Sequence, residues 1–357
     1  MVKFIRFLFV CAVILAIAGC GLVGITIWYF SRDLPDYSQL AHYEPPITTR
    51  VQAGDGRMLA EYATERRIFV PIEAIPKRVI DAHCHIGEIP PWKFYDLEHP
   101  VKPTVYDYKD TRDFVRNHLD EFGIERALTM SNYGVPVHEI SFDLNEVVMD
   151  AATSNDRILA AIWVSFLPRN AELTRKALQL ARESRVVALK TTFLLGGNPD
   201  PNSWDDETRA IADECFDVCE KHDLIFHFHT SPGGSSDISN FIPLVERYGK
   251  RCKIYLVHFG GGVSGHIRLV PRFLQWVQDG YKVYTDTSWA VGFGARWLLT
   301  EIEKTGVGGD RVLFGSDEPW SDFDSEFWKI NGIRGISQEL KERVFWENYE
   351  ALYAVHA

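Results

Sequence analysis

The run Val79-Ile80-Asp81-Ala82-His83-Cys84-His85 constrains the fold of this chain more than any other feature. Its apolar and β-branched residues predict a buried strand. Because side chains on a strand alternate between two faces, His83 and His85 point to one side and Cys84 points to the other. Two neighbouring imidazoles are suited to a metal ion. The fold must therefore bring further ligands to the end of this strand.

Three later strand-like runs each end in another candidate ligand: Leu224–His229, Ile254–His258 and Val312–Asp317. Strands alternate with helical patterns from residue 79 onward, which indicates repeated βα units around a parallel sheet. A doubly wound sheet would hold the first, fifth, sixth and eighth strands apart, whereas a closed barrel brings all strand ends to one rim. The pattern therefore predicts an α/β fold of the TIM-barrel type, (β/α)₈.

The predicted barrel elements follow in regular order. Strands are predicted at 79–85, 126–131, 159–165, 186–191, 224–229, 253–258, 281–286 and 311–316. Helices are predicted near 110–122, 141–154, 170–184, 205–222, 239–249, 265–279, 291–304, 323–330 and 337–354. A net charge of -11 provides no basic surplus for binding phosphates and argues against a nucleic-acid partner.

The N-terminus predicts a membrane anchor. Residues 7–30 carry no charge and are long enough to cross a bilayer as a helix, and Lys3 and Arg6 precede them. A short extended or β linker region follows, with a hairpin turn expected at Asp55-Gly56 between strands at 48–51 and 58–62. A lipoprotein cleavage site ending at Cys20 and a cleaved signal peptide are the alternatives.

Residues 1–82 resemble the N-terminal region of class A penicillin-binding proteins. The resemblance rests on segments such as Ser31-Arg32-Asp33-Leu34-Pro35-Asp36-Tyr37, Asp55-Gly56-Arg57 and Ile75-Pro76-Lys77-Arg78-Val79. That family continues into a glycosyltransferase domain, but here the chain turns into His83-Cys84-His85, and no Ser-x-x-Lys motif occurs. The cell-wall chemistry is therefore not expected.

Residues 79–357 resemble the amidohydrolase superfamily, in the branch that includes aminocarboxymuconate-semialdehyde decarboxylase. The matching segments are Ile80-Asp81-Ala82-His83-Cys84-His85-Ile86-Gly87, Phe226–Thr230, Leu256-Val257-His258-Phe259-Gly260-Gly261, Leu313-Phe314-Gly315-Ser316-Asp317-Glu318-Pro319 and Asn348-Tyr349-Glu350-Ala351-Leu352. The resemblance implies one divalent ion, usually zinc, held by His83, His85, His229 and Asp317. It places His258 beside the bound water as a catalytic group, and Asp317 is either a ligand or a proton acceptor.

Four further residues have open roles. His227 shares a strand face with His229, which is preferred as the ligand because it lies nearer the rim. Lys190 ends the fourth strand and either holds a substrate carboxylate or, if carboxylated, bridges to a second metal ion. Asp286 either orients a ligand or caps the next helix. Trp289 is a candidate substrate contact.

Two reactions fit this residue set. One is a metal-dependent hydrolysis in which activated water attacks an amide, lactone or related carbonyl. The alternative is a non-oxidative decarboxylation of a conjugated or aromatic acid, with the carboxylate held by the metal and Lys190. A third hypothesis is not enzymatic: the chain is a non-catalytic fusion product that carries a cell-wall-enzyme anchor.

The domain prediction is an anchor at 1–30, a penicillin-binding-protein-like segment at 31–78 and a barrel at 79–357. The expected partners are a small carboxylate or amide substrate and the membrane through residues 7–30, and a homodimer is left open. The charge pattern predicts an inner-membrane protein with its N-terminus in the cytoplasm and its barrel in the periplasm. The scattered cysteines favour the alternative of a cytoplasmic barrel with a foreign N-terminal segment.

Overall fold

The structure is a computed structural model. It describes residues 19–26, 28, 49–52, 58–62, 75–87, 108–132, 145–183, 185–194 and 196–353. The chain divides into two compact units, residues 1–70 and residues 71–357.

In the first unit, strand β1 (Thr49–Gln52) pairs antiparallel with β2 (Met58–Tyr62). The two strands of the predicted hairpin are therefore confirmed. Residues 19–26 are helical. Over the described part of the chain, no helix combines the length and apolar character needed to cross a bilayer. Most of the predicted span at residues 7–30 lies outside the described residues.

The second unit is a barrel of eight parallel strands, each paired with the next along the chain. They are β3 (Ile80–Ile86), β4 (Arg126–Ser131), β5 (Ile158–Trp163), β6 (Val186–Thr191), β7 (Ile225–His229), β8 (Lys253–Val257), β9 (Val283–Asp286) and β10 (Val312–Leu313). The TIM-barrel prediction is confirmed, and β10 is shorter than predicted.

Helices connect the strands and close the chain. They span Thr111–Phe114 with its π-helical continuation Val115–Asp120, Asn145–Ser154, Ala171–Leu180, Asp206–Lys221, Ile238–Tyr248, Gly262–Gln278, Gly292–Thr305, Phe323–Asn331, Gln338–Glu342 with its π-helical continuation Arg343–Glu347, and Asn348–Tyr353. Short 3₁₀ turns lie at Pro168–Asn170, Pro201–Ser203, Gly234–Ser236 and His258–Gly260.

Backbone hydrogen bonds join the first barrel strand to the segment that follows the last. The amide of Ala82 donates to the carbonyl of Phe314 at 2.9 Å, and that of Asp317 donates to His83 at 2.7 Å. The amide of His85 donates to Glu318 at 2.8 Å. The chain after β10 therefore leaves regular strand geometry but still closes the barrel, and this closure places Asp317 beside the two histidines.

A bulge in β3 sets the direction of the side chains of His83 and His85. Asp81 lies opposite Ala127 and Cys84 lies opposite Thr129, so β3 has one extra residue between these pairs. A bulge of this kind changes which side chains face inward. Ala82 belongs to the apolar cluster inside the barrel, whereas Cys84 packs in the outer layer against the helices, as predicted.

The barrel interior is a packed core. Apolar side chains from all eight strands meet there with Tyr349 and Tyr353 of the last helix. A packed interior makes the strand ends rigid supports for side chains at the rim.

Candidate metal centre

The candidate site lies at the C-terminal ends of the strands. His85 lies near the end of β3, His229 ends β7 and His258 follows β8 directly. Asp286 ends β9, and Asp317 follows β10. A cavity of about 420 Å³ opens here, with a lining of His85, Lys190, His229, Thr230, Ser231, Pro232, His258, Gly261, Gly262, Trp289, Val291, Asp317 and Trp320. This volume is within the usual range for small-molecule sites.

The buried ring of His85 faces an acceptor with its unprotonated nitrogen. Its Nδ1 lies 3.1 Å from the carbonyl oxygen of Ser131, which only accepts hydrogen bonds, so Nδ1 carries the proton. In the neutral ring Nε2 then has a lone pair, and it lies 3.1 Å from Oδ1 of Asp317. Two acceptors in contact repel each other unless a cation lies between them.

The ring of His83 has the same arrangement. Its Nδ1 donates to Oδ2 of Asp286 at 3.0 Å, and its Nε2 lies 3.2 Å from Oδ1 of Asp317. Burial, followed by the nearby charge of Lys190, lowers the pKa of His83 well below its usual value. The ring is therefore neutral at neutral pH, with its Nε2 lone pair directed at the point that His85 and Asp317 share.

These donors fit a divalent cation. Two imidazole nitrogens and one carboxylate oxygen converge, and the opposite nitrogen of each ring is fixed by an acceptor, as in metal-ligating histidines generally. Candidate ligand atoms of His83, His258 and Asp317 also lie within 4.8 Å of one another. The structure therefore brings together the predicted ligands from β3 and from the end of β10.

A hydrogen-bond chain connects the other predicted histidines to Asp286. Ser288 Oγ donates to Asp286 Oδ1, so it accepts from Nδ1 of His258 at 2.9 Å. Nε2 of His258 then accepts from Nδ1 of His229 at 3.2 Å. Every tautomer along this chain is fixed, and His229 presents its Nε2 edge as the remaining ligand atom.

Asp286 orients the site. It accepts hydrogen bonds from His83, from both the amide and the hydroxyl of Ser288, and from the amide of His258. It does not cap the following helix, whose N-cap residue is Val291, so that alternative is wrong. Burial raises the pKa of Asp286 to about 7, although the hydrogen bonds from Ser288 and His258 and the charge of Lys190 act in the opposite direction.

Lys190 is a buried cation at the cavity wall. Its Nζ lies 3.3 Å from Nε2 of His83. Burial lowers the pKa of Lys190 to about 8, although the charges of Asp317 and Asp286 act in the opposite direction. Lys190 is therefore charged at neutral pH but loses its proton far more readily than an exposed lysine.

Backbone strain is concentrated at this rim. His258, Phe259, Trp289 and Asp317 all have positive φ, between 52° and 64°. Each such non-glycine residue costs roughly 1–2 kcal/mol. Strain of this kind persists where the surroundings fix it, and it occurs most often at functional sites.

Trp289 forms a wall of the cavity and contacts a candidate ligand. Its indole N–H donates to Oδ2 of Asp317, and its amide donates to Oε1 of Glu326 at 3.3 Å. The side chain is 53% exposed, so one face of the ring is open to a substrate. Pro232, Val291 and Trp320 also line the cavity, so part of its wall is apolar.

His227 does not line the cavity, although its ring centroid lies 6.4 Å from that of His83. It is fully buried inside the barrel and stacks on Tyr255, with ring centroids 4.0 Å apart. His229 instead lines the cavity. The placement agrees with the preference for His229 as the ligand.

The sequence interpretation missed the residues that support the site. Asp81 accepts hydrogen bonds from the amide of His83, the amide and hydroxyl of Ser316, and Nε2 of His118. It thereby fixes the bulge to the segment that closes the barrel. The position of Asp81 two residues before His83 was the available signal. Ser288 had none, because its role depends on the loop geometry after β9.

Comparison with known proteins identifies the family. The amidohydrolase family pattern matches residues 80–355, which is most of the chain. The chain belongs to the amidohydrolase family. Membership of the amidohydrolase family makes the chain an enzyme.

Several amidohydrolase-type structures share the fold. A 2,6-dihydroxybenzoate decarboxylase complexed with 2,6-dihydroxybenzoate is 17% identical, with a TM-score of 0.56 over 78% of this chain and 100% of that one. A 5-carboxyvanillate decarboxylase from Novosphingobium aromaticivorans, complexed with manganese and 4-hydroxy-3-methoxy-5-nitrobenzoic acid, is 15% identical, with a TM-score of 0.53 over 79% and 97%. At these identities the likeness shows the fold alone.

A third structure is a probable hydrolase. The probable 2-pyrone-4,6-dicarboxylic acid hydrolase from Acinetobacter baumannii, with citric acid bound, is 14% identical. Its TM-score is 0.52 over 78% of this chain and 99% of that one.

The curated relatives are of another kind. Penicillin-binding protein 1A of Rickettsia conorii is 48% identical over 135 residues, which are 37% of this chain and 14% of that protein. The same protein of Rickettsia bellii is 56% identical over 131 residues, 35% and 14%. The chain thus spans about one seventh of the length of these relatives, and the predicted resemblance of its N-terminal region to this class is confirmed.

Proposed function

We propose that the barrel is a metal-dependent, non-oxidative decarboxylase of a small aromatic carboxylic acid. The observation that carries the proposal is the pairing of two unlike halves in one cavity. One half holds His85, Asp317 and the cation of Lys190, with the buried ring of His83 in contact with Lys190 and Asp317. The other half is the apolar wall of Trp289 and its neighbours, suited to a flat ring.

The residues present would hold one divalent ion through His83, His85, His229 and Asp317. When bound, the ion supplies a Lewis acid that withdraws electrons from an oxygen of the substrate. This donor set suits Zn²⁺, and Mn²⁺ is the other candidate. A second ion is not needed, because Lys190 as an ammonium group already supplies positive charge beside His83.

The chain's own residues have three tasks in this reaction. Lys190 binds an oxygen of the substrate carboxylate through a charge-assisted hydrogen bond. The ring lies against Trp289, and the apolar wall excludes water from that face. Either His258 or Asp317 takes up a proton from solvent and passes it to the ring carbon, the bond from that carbon to the carboxylate breaks, and CO₂ leaves. The net reaction consumes one proton and one carboxylate and yields the ring C–H and CO₂.

The test is a product assay on the purified chain with each candidate metal. 2,6-Dihydroxybenzoate and 5-carboxyvanillate are incubated in D₂O, and CO₂ release is measured beside the NMR spectrum of the product. Decarboxylation places one deuterium at the carbon that lost the carboxylate. The His83→Ala variant is the matched control. Turnover of a panel of such acids without CO₂, or CO₂ release that the control retains, contradicts the proposal.

Hydrolysis is the second candidate. His258 is hydrogen-bonded to the candidate ligand His229, and from this position it could take the proton of a metal-activated water. The fold likeness to a probable hydrolase of a ring dicarboxylic acid supports the same view. In H₂¹⁸O, hydrolysis of a lactone such as 2-pyrone-4,6-dicarboxylic acid would introduce ¹⁸O into the product, whereas decarboxylation would not.

The location of the barrel and the hypothesis of a non-catalytic fusion product stay predictions. We propose the periplasmic face of the inner membrane for the barrel. Protease treatment of spheroplasts that express the full chain would degrade a periplasmic barrel and spare a cytoplasmic one. A homodimer is tested by light scattering on the same full-length protein.

A further inference from the structure

One buried side chain joins two loops of the catalytic rim. His266 lies near the start of the helix Gly262–Gln278 and is fully buried. Its Nδ1 lies 2.7 Å from the carbonyl oxygen of Phe259, and its Nε2 lies 2.9 Å from the amide nitrogen of Val291. The carbonyl only accepts and the amide only donates, so the proton is on Nδ1 and the ring is neutral. Burial also lowers the pKa of His266.

The Nδ1 side of this ring holds the loop that carries His258. The five residues from His258 to Gly262 all have positive φ, between 52° and 82°. Phe259, whose carbonyl accepts from His266, lies within this left-handed turn. A Cβ atom on Gly265 would lie 1.8 Å from the carbonyl oxygen of Gly260, so the turn packs directly on the helix that carries His266.

The Nε2 side holds the loop that carries Trp289. Val291, whose amide donates to His266, lies two residues after Trp289 and just before the helix Gly292–Thr305. A Cβ atom on Gly294 would lie 2.4 Å from Cδ2 of His266. The helix can therefore approach the ring this closely only because residue 294 is glycine.

We propose that His266 is a positioning residue that fixes His258 and Trp289 through two separate hydrogen bonds from one ring. It does not line the cavity and therefore acts only through these two loops. Both loops are strained, and a single rigid ring that bonds to both maintains their spacing. Part of the test rests on the metal site proposed above, but none of it rests on the reaction.

The two hydrogen bonds can be removed one at a time. In His266→Asn, the side-chain N–H lies near the position of Nδ1 and retains the bond to Phe259. In His266→Gln, the side-chain oxygen reaches the position of Nε2 and retains the bond to Val291. His266→Leu removes both bonds at similar volume. Circular dichroism and the unfolding midpoint establish that each full-length variant is folded.

Two readouts report the two loops without any need for turnover. Acrylamide quenching of Trp289 is measured as the difference between each variant and the same variant carrying Trp289→Phe. The Mn²⁺ dissociation constant, from the electron paramagnetic resonance signal of free Mn²⁺, reports the loop of His258. Both the quenching constant and the Mn²⁺ dissociation constant are first measured for the wild-type protein, which serves as the reference.

We expect the two measurements to respond to different variants, which is called the crossed pattern below. Since Trp289 is 53% exposed, its release would raise the quenching constant by about two-fold in the Leu and Asn variants, but not in Gln. The Mn²⁺ dissociation constant would rise about ten-fold or more in the Leu and Gln variants, but not in Asn. If the Leu variant does not fold, the Asn and Gln variants still give the crossed pattern.

Equal changes in the Asn and Gln variants, or no change in a folded Leu variant, would overturn the proposal. If wild type binds no Mn²⁺, the metal site fails separately. The quenching data then decide alone: an increase in Asn but not in Gln supports the positioning role, and any other result overturns it.

Discussion

At the N-terminal end of the barrel, positive side chains are paired with negative ones. At the C-terminal end, hydrogen-bond acceptors face one another. Arg78 bonds to Glu125 and Glu350, and Arg157 bonds to Asp120 and to two backbone carbonyls. At the other end, lone pairs of His83 and His85 face the carboxylate of Asp317. The first arrangement stabilises the fold, and the second is suited to a bound cation.

Cavity size alone would point to the wrong end. The cavity at the N-terminal end is the larger, at about 750 Å³, and Arg78, Arg157 and Arg185 are among its lining residues. The donors of these arginines are directed at carboxylates and carbonyls that already accept them. A ligand would have to displace these bonds. At the smaller cavity on the rim candidate metal ligands converge, and in TIM barrels this is the end that carries catalysis.

The largest expected effect comes from removing two ligands at the rim. His83→Ala combined with His85→Ala should lower turnover by about a thousand-fold or more, because the metal that lowers the barrier is lost. Metal analysis of the purified variant should show less than a tenth of the wild-type content. The matched change at the other end, Arg157→Lys, should leave metal content and turnover unchanged. A variant without both histidines that still holds one equivalent of metal would refute the ligand assignment.

The next effect concerns His258. His258→Gln should lower kcat by about 10²–10⁴-fold, the usual contribution of a general acid or base. Its metal content at saturating metal should stay close to wild type, because the glutamine oxygen can accept the hydrogen bond that His229 donates to His258. Asp317→Asn should lower both kcat and the metal content, because Asp317 is a proposed ligand. If the His258 variant loses its metal instead, His258 is a ligand and not only a proton carrier.

Lys190 should have opposite effects on stability and on function. Lys190→Met should raise KM for a carboxylate substrate by about 10–100-fold, the value of a hydrogen bond to a charged group. In chelator-treated protein the same change should raise the free energy of unfolding at pH 7 by on the order of 1–3 kcal/mol, since burial penalises the ammonium form.

The sign of the pH dependence follows from the depressed pKa of Lys190, about 8 in the fold against 10.5 unfolded. Between these values the unfolded chain binds more protons, so wild-type stability gains a contribution as pH rises from 8 towards 10.5. Urea titrations should show this gain in wild type and its loss in the Lys190→Met variant. A variant less stable than wild type at pH 7 would contradict this account of Lys190.

The smallest effect is expected at the paired end. The hydrogen bond from Arg78 lowers the pKa of Glu125 below its usual value. A depressed carboxyl pKa stabilises the fold above the unfolded value and loses that contribution as pH falls. Because the pair is largely exposed, Glu125→Gln should cost about 0.5–1 kcal/mol at pH 7, and less at pH 3. Urea denaturation at both pH values measures the difference.

The sequence predicted the barrel because the strand pattern is local. Runs such as 186–191 carry their own β-branched signal, and the structure has Val186–Thr191 as a strand. The placement of the candidate ligands at the rim was also predictable, because each histidine or aspartate lies at the end of such a run. The bulge in β3 was not predictable, since an alternating pattern has no sign of an extra residue.

The supporting residues depend on contacts distant in sequence. Asp81 meets Ser316 across 235 positions, and His266 meets Val291 across 25. Trp289, which has a positive φ, bonds to Glu326 and Asp317 across 37 and 28 positions. Such features follow only once the loops are placed in space.

The most direct measurement is an anomalous-diffraction map of the full-length protein crystallised with Mn²⁺ or Zn²⁺. The account predicts one strong peak between Nε2 of His83, Nε2 of His85 and Oδ1 of Asp317, at about 2.0–2.2 Å from each. A map without a peak among these three atoms, with the metal absent or bound elsewhere, would contradict it.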